Sequence, residues 1–187
     1  MLLSTWLAFF AAAWAISFSP GAGAISAMSC GLRHGFGRTY WNTFGLIAGI
    51  IFQFVIVGLG LGAVLATSEL AFSIVKYLGV AYLIYLGVKQ FRTDAAPVAV
   101  DKDAGEFVPA RTLVLRGFLI NASNPKGTVF LLAVVPQFVN LAQALVPQYA
   151  LMALTLGFTD LVAMSCYALL ASRFLRLLKS PRHIRWM

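Results

Sequence analysis

Two short proline-containing stretches place polar chemistry inside apolar sequence. Residues 19–21 (Ser-Pro-Gly) interrupt the first apolar run of the chain, and residues 124–126 (Asn-Pro-Lys) interrupt a later one. A proline removes a backbone donor and a lysine brings a charge, so hydrocarbon tolerates them only where protein surrounds them or they line a cavity. Two such breaks in corresponding positions are the sequence sign of a transporter's binding site.

Each break is suited to starting a half-helix within the membrane. Ser19 and Asn124 are good N-cap residues, each followed by a proline, Pro20 or Pro125, at the first helical position. Gly21 adds permissive backbone. Helix N-terminal ends present unpaired N–H groups and a positive dipole end, which suit a substrate carboxylate. The alternative is that both prolines only kink helices whose neighbours satisfy the freed carbonyl groups.

Lys126 and Asp160 are ionisable residues about midway along apolar runs, so both should face the bundle interior, where they can pair with each other. Lys126 is a candidate for holding a carboxylate. Asp160 is a candidate for binding an ammonium group or carrying a coupling proton, since burial favours a neutral carboxyl group. The alternative is a purely structural ion pair. Gln53 is a candidate to line the cavity or to bond a neighbouring helix, and Asn121 to line the cavity or to end a helix.

The composition is that of an all-α integral membrane protein. Sixty per cent of the residues are hydrophobic, 11% are charged and the mean hydropathy is +0.86, whereas soluble domains carry about 25% charged residues. The apolar runs are each long enough to span a bilayer, which predicts five transmembrane helices. These runs cover residues 3–31, 40–67, 70–91, 113–139 and 147–172.

The basic residues predict the orientation of the helices. All 14 Lys and Arg residues except Lys76 and Lys126 lie in three segments, 33–38, 89–116 and 173–185. These segments fall on one side of the membrane if the N-terminus starts outside, so the positive-inside rule predicts an N-out topology. The same distribution makes the lipid bilayer, and not nucleic acid, the partner of the net charge of +8.

The two breaks also predict an internal repeat. Position 125 minus position 20 gives an offset of 105 residues, and this offset carries the second apolar run onto the fifth. We expect an inverted repeat of three helices, with residues 1–92 as the first repeat, 93–112 as a cytoplasmic loop and 113–187 as the second. Because the offset carries the third run past the last residue, we expect the second repeat to be incomplete, with its sixth helix missing.

Glycine and cysteine spacing adds two smaller expectations. The G-x-x-x-G motifs at 45–49 and 58–62 allow another helix to approach closely, either within the bundle or between subunits of a homo-oligomer. Cys30 and Cys166 lack the C-x-x-C spacing of a redox pair or metal site, so we expect buried free thiols.

Two other classes of function stand beside a transporter. A membrane-embedded enzyme would need a nucleophile with its base or a metal cluster, and His34 and His183 lie at helix ends and offer neither. We therefore expect no catalytic residue, no metal and no cofactor. A non-transporting interaction protein, such as a truncated and inactive paralogue, is the alternative that a missing sixth helix favours.

A Ser-Pro-Gly-x-Gly-Ala-Ile sequence stands at 19–25, and further motifs stand at 31–35, 57–62, 77–87, 121–127, 136–138, Asp160 and 167–168. Together these motifs resemble the LysE/RhtB family of amino-acid exporters, and the similarity covers nearly the whole chain. The form of the sequence at 19–25 looks most like the branch that exports homoserine, homoserine lactone and threonine.

The resemblance implies a multi-pass exporter in the cytoplasmic (inner) membrane that expels small neutral amino acids or their derivatives, driven by the proton gradient. Gln53 stands where we expect histidine in the homoserine branch, which leaves open the substrate and any proton relay through that helix. The chain also ends where the family usually continues into a last apolar segment. Carried over, the resemblance marks as pathway positions Pro20, Gly21, Asn124, Pro125, Lys126 and Asp160.

Overall fold

The computed structural model describes residues 1–67, 108–140 and 142–178, with isolated positions between 70 and 88. Within these residues every regular element is an α-helix. The helices are α1 (Leu3–Phe18), α2 (Ala22–His34), α3 (Phe36–Thr67), α4 (Ala110–Ala122), α5 (Pro125–Phe138) and α6 (Leu145–Leu178). The third predicted run, most of the predicted loop and the basic tail lie largely outside the described residues, so those predictions are not tested.

The described helices include apolar elements of membrane-spanning length. α3 and α6 each contain a window that can cross a bilayer, at Phe36–Gly60 and Leu145–Arg173. α1 with α2, and α4 with α5, pass the same test as pairs, bent by 55° and 54° at their breaks. The described chain therefore holds two continuous spans, or four if each bent pair is one span, as an all-helical membrane protein requires.

The two breaks begin their second helices differently. At the second break the Asn124 side chain accepts a hydrogen bond from the backbone N–H of Lys126 at 3.1 Å, with Pro125 at the start of α5, so the N-cap prediction for Asn124 is confirmed. The matching prediction for Ser19 is wrong, because Ser19 is the C-cap of α1 and Gly21 occupies the N-cap position of α2. The Ser19 hydroxyl binds a lysine ammonium group instead of capping α2.

Small residues bring α3 and α4 into backbone contact. A Cβ atom on Gly45 of α3 would overlap the carbonyl oxygen of Val114, and one on Gly117 of α4 would overlap that of Asn42. Only glycine permits helix axes to come this close. The motif at 45–49 is therefore used inside the chain, and it fixes α4 against α3.

One end of the bundle gathers the described arginines. The Arg38 side chain donates to the carbonyl oxygen of Val108, just before α4. Gly31, near the end of α2, packs on α6 so closely that a Cβ atom would lie 2.7 Å from the Ala168 oxygen. The end of α2, the starts of α3 and α4, and the last turns of α6 thus share this end, which we call the basic end. Its described arginines are Arg33, Arg38, Arg111, Arg116 and Arg173.

The other half of the bundle is closed by an apolar core. Phe9 of α1, Leu131 of α5 and Met152 of α6 are each 0% exposed and belong to one cluster. A second, smaller cluster around Leu46 of α3 and Ala163 of α6 lies nearer the basic end. The breaks in the two bent pairs meet in the space between these clusters.

Candidate functional site: a polar cavity between two helix breaks

A small cavity brings both breaks and α6 together. Its volume is about 50 Å³. Ser19 and Gly21 line it from the first break, Asn124 and Lys126 from the second, and Asp160 from the middle of α6. Most of the remaining wall is apolar and comes from both hydrophobic clusters. Residues more than 100 positions apart in sequence thus face one space.

Lys126 crosses from the second break to the first. Its ammonium group donates to the Ser19 carbonyl and hydroxyl oxygens, both at 2.8 Å, and to the Pro20 carbonyl oxygen at 3.2 Å. These carbonyls lie at the C-terminal end of α1, where backbone acceptors have no partner within the helix and the helix dipole is negative. Lys126 therefore stabilises the end of α1, which accounts for a lysine within an apolar run.

Asp160 is buried on the α6 side of the cavity, with 8% of its surface exposed. The Ser17 hydroxyl and the Asn121 side chain lie beside its carboxyl group. No salt bridge joins Asp160 to Lys126 in the described part of the chain, so the direct ion pair that the sequence allowed is not formed. The ammonium group is taken by the α1 carbonyls, and the two charges interact only through space.

The side chain of Gln53, from α3, hydrogen-bonds to the backbone at the second break. Gln53 is not among the residues that line the cavity. Its side-chain nitrogen donates to the Ala122 carbonyl at 3.2 Å, the Asn124 carbonyl at 2.9 Å and the Thr128 hydroxyl at 2.8 Å. Its Oε1 atom is buried without a partner among the described groups. That oxygen faces Gly127, where a Cβ atom would lie 2.5 Å away. α3 thus satisfies the carbonyls that the break in α4 and α5 frees.

Asn121 ties the same break to α3 while it lines the cavity. Its amide nitrogen donates to the Leu46 carbonyl at 2.7 Å, and its oxygen accepts from Asn124 at 3.3 Å. Only 6% of its surface is exposed. Asn121 therefore joins the second break to the cavity wall.

The structure brings most of the predicted site residues to one place. Pro20 contributes its carbonyl to Lys126, Pro125 starts α5, and Gln53 stands behind the break. The predicted residues that line the cavity are Ser19, Gly21, Asn121, Asn124, Lys126 and Asp160.

Sequence reasoning missed polar residues that support the site. Ser17 donates to the Thr159 hydroxyl at 3.1 Å, which joins α1 to α6 beside the cavity. The Tyr167 hydroxyl donates to the Phe18 carbonyl at 2.6 Å, at the end of α1. The available signal was a polar residue in an apolar run close to a break, which describes Ser17. Tyr167 is marked only by the family resemblance at 167–168, which assigns it no role.

Comparison with known proteins places this chain in a family. A family model described as LysE type translocator matches residues 14–187, which is most of the chain. The chain belongs to this family. The translocator is 37% identical to the homoserine/homoserine lactone efflux protein of Salmonella typhimurium, over 99% of this chain and 89% of that protein.

Two further relatives have similar coverage. The translocator is 36% identical to an uncharacterized membrane protein of Vibrio cholerae, over 97% of this chain and 87% of that protein. It is 26% identical to a leucine efflux protein of Klebsiella pneumoniae, over 96% of this chain and 84% of that protein. No solved structure matches the translocator.

The geometry of the translocator's cavity separates two kinds of charge. Lys126 and the first turn of α5 present an ammonium group and a helix N-terminus. Asp160 presents a carboxyl group on another helix, without a direct bond between the two. Such a site suits a small molecule that carries both a carboxylate and an ammonium group.

Proposed function

We propose that this translocator exports small amino acids or their derivatives, of the homoserine and threonine type, across the cytoplasmic membrane in exchange for protons. The observation that carries the proposal is the meeting of both helix breaks, Lys126 and Asp160 around one cavity. The names of the relatives, which are efflux proteins for homoserine, homoserine lactone and leucine, support the substrate class.

The substrate carboxylate binds at Lys126 and the start of α5. The lysine ammonium group is already held toward the cavity by Ser19 and Pro20, so little side-chain entropy is lost when it binds a ligand. Charge-assisted hydrogen bonds of this kind are about twice as strong as neutral ones. A carboxylate at this position takes the ammonium group over from the α1 carbonyls.

Asp160 binds either the substrate ammonium group or a proton. A buried carboxylate needs a cation, and it cannot keep both at once, so each displaces the other. A proton that arrives from outside therefore releases the substrate there. On the inner side, loss of that proton prepares the site for the next substrate. This competition couples export to the proton gradient.

An inverted repeat with alternating access supports such a cycle. The offset of 105 residues maps α1, α2 and α3 onto α4, α5 and α6. α3 packs on both halves of the second bent pair, and α6 packs on both halves of the first. Residues 1–92 and 113–187 are the two repeats, joined by the cytoplasmic loop at 93–112, with five crossings and an outer N-terminus. The gathering of arginines at one end supports this orientation.

The size of the cavity requires a movement of its walls. A cavity of about 50 Å³ has room for only a few water molecules, which is less room than an amino acid needs. We assign the movement to the breaks, because Ser-Pro-Gly and Asn-Pro-Lys are the only interruptions in the described bent pairs. The site opens toward one side of the membrane at a time.

Efflux from preloaded cells tests this function. Cells are loaded with dipeptides, and the release of homoserine, threonine, serine, leucine and lysine is compared for the wild type, empty vector and Asp160→Asn. We expect the wild type to speed the release of a small neutral amino acid. Asp160→Asn is expected to abolish that release while the protein remains in the membrane, because an amide cannot exchange a proton for an ammonium group.

Membrane abundance, measured on the same cells, separates loss of transport from loss of protein. Full efflux by Asp160→Asn would contradict the coupling role of the carboxyl group. The absence of wild-type efflux for all five amino acids, with the protein present in the membrane, would contradict the proposed substrate class.

A further inference from the structure

A second cavity of about 460 Å³ lies at the basic end, between α2, α3 and α4. Its outer end, which faces the polar surface of the membrane, is lined by Arg33, His34 and Arg116. Its inner end, which faces the bilayer centre, is lined by Ala22, Ile25 and Ile120. We call it the basic groove. No acidic side chain is among its described lining residues. It is separate from the cavity between the two helix breaks. None of its lining residues binds Lys126 or lies beside Asp160.

The groove has the length of one membrane leaflet. From Ala22 to His34 the α2 helix rises by about 18 Å at about 1.5 Å per residue. Half of a hydrocarbon core of about 30 Å is about 15 Å, to which the headgroup layer is added. The groove thus reaches from the polar surface toward the bilayer centre along one face of α2.

The polarity of the groove changes along this length. The guanidinium and imidazole groups are confined to the outer end, whereas Ala22 is exposed and Ile25 is 52% exposed at the inner end. Between the two ends, Ser26 and Asn42 exchange hydrogen bonds of 3.1 and 3.2 Å, and Ser29 and Cys30 also line this middle part. A path for a hydrated amino acid would need polar groups along its whole length. An apolar inner end instead fits an acyl chain.

The geometry points to a binding site for an anionic phospholipid, with its phosphate on Arg33 and Arg116 and an acyl chain along Ile25 and Ile120. Guanidinium groups bind phosphate oxygens in a bidentate manner, and basic pockets between membrane helices are the usual seats of anionic headgroups. The bound lipid wedges α2 against α4, the half-helices on the basic side of the two breaks. This inference does not depend on the exported substrate.

Native mass spectrometry of the full chain in lipid nanodiscs or micelles tests the site. The wild type is titrated with phosphatidylglycerol and with phosphatidylcholine of the same acyl chains. We expect the anionic lipid to bind at least about tenfold more tightly. Both headgroups offer a phosphate to the arginines, but the arginines repel the choline cation of phosphatidylcholine. Equal binding of the two lipids would overturn the proposal.

Variants locate the binding. Arg33→Gln with Arg116→Gln is expected to lose most of the preference for phosphatidylglycerol. The control is Arg111→Gln with Arg173→Gln, which removes two charges from the same end but outside the groove. An equal loss in both pairs would mean a diffuse surface charge effect and would overturn the proposal.

A third variant and two competitors complete the test. Ile25→Trp fills the apolar end and leaves the arginines intact, and it is expected to weaken lipid binding. It tests the site independently if the double variant misfolds. Unchanged binding in Ile25→Trp would contradict the acyl-chain position. Inorganic phosphate and homoserine at millimolar concentration should not displace the lipid. Displacement by either would make the groove a phosphate or substrate site instead.

Discussion

The two helix breaks bend their helices almost equally, by 55° and 54°, but they are held in different ways. The second break caps itself through Asn124 and is bonded from behind by Gln53 of α3. The first break has no side-chain cap of its own at the start of α2. It is held by Lys126 and Tyr167, which belong to α5 and α6.

This difference assigns different tasks to the two breaks. The second break is held in place, because its backbone groups are bonded to α3, which packs tightly on α4. We call this break the frame. The first depends on a lysine that the proposed substrate also binds. In the proposed cycle, a carboxylate that takes the Lys126 ammonium group removes this donor from the Ser19 and Pro20 carbonyls. One of the contacts that hold the first break is then lost, so the proposal links substrate binding to movement through one side chain.

Lys126→Met should have the largest effect on this comparison. It removes the proposed partner of the substrate carboxylate and the Lys126 donor to the Ser19 and Pro20 carbonyls. Loss of charge-assisted bonds of about 1.5–3 kcal/mol each predicts that homoserine efflux falls by at least about tenfold. Arg173→Met, which removes an exposed cation at the basic end, is the matched control and should keep efflux. Equal activities of the two variants would contradict the role of Lys126.

Gln53→Leu should have an intermediate effect, located at the frame. The Ala122 carbonyl loses the Gln53 donor, and a buried group without a partner costs about 1–3 kcal/mol. The Asn124 carbonyl loses the same donor but keeps its bonds from Thr128. We expect the midpoint of thermal unfolding in detergent to fall by several degrees and substrate affinity to fall with it. Gln148→Leu breaks similar bonds at the Asn140 loop, far from the cavity. Gln148→Leu should lower stability without lowering substrate affinity. An equal loss of affinity in both variants would contradict a specific effect of Gln53 on the site.

Tyr167→Phe should have the smallest effect, confined to the first break. It removes one hydrogen bond to the Phe18 carbonyl and keeps the aromatic ring. A neutral bond contributes about 1 kcal/mol, so amide hydrogen exchange over residues 19–25 should speed up by about fivefold. Exchange over residues 124–128 should not change. Equal acceleration at both breaks would show that they are held as one unit.

Sequence reasoning reached the features that depend on local residue types. The apolar runs predicted the spans of α3 and α6, and proline within a run predicted both breaks. Asn124 before Pro125 predicted an N-cap because that motif is local to its own helix. The glycine motif at 45–49 predicted a close approach but could not name α4 as the partner.

The errors concern bonds between distant segments. Ser19 was predicted to cap α2, but the cap position is set by where the helix resumes after Pro20, and its hydroxyl is taken by Lys126. The sequence allowed a direct pair of Lys126 with Asp160, and it is not formed because the carbonyls at the end of α1 compete for the ammonium group. Backbone acceptors of this kind have no residue letter, so a sequence does not display them.

The most direct test of the account is the binding of homoserine and of homoserine lactone to the purified protein in nanodiscs. The lactone keeps the ammonium group but has no free carboxylate. We predict that Lys126→Met weakens homoserine binding by at least about tenfold and changes lactone binding much less, whereas Asp160→Asn weakens both. Equal loss of both ligands in Lys126→Met, or unchanged binding in Asp160→Asn, would contradict a cavity that reads a carboxylate with its lysine and an ammonium group with its aspartate.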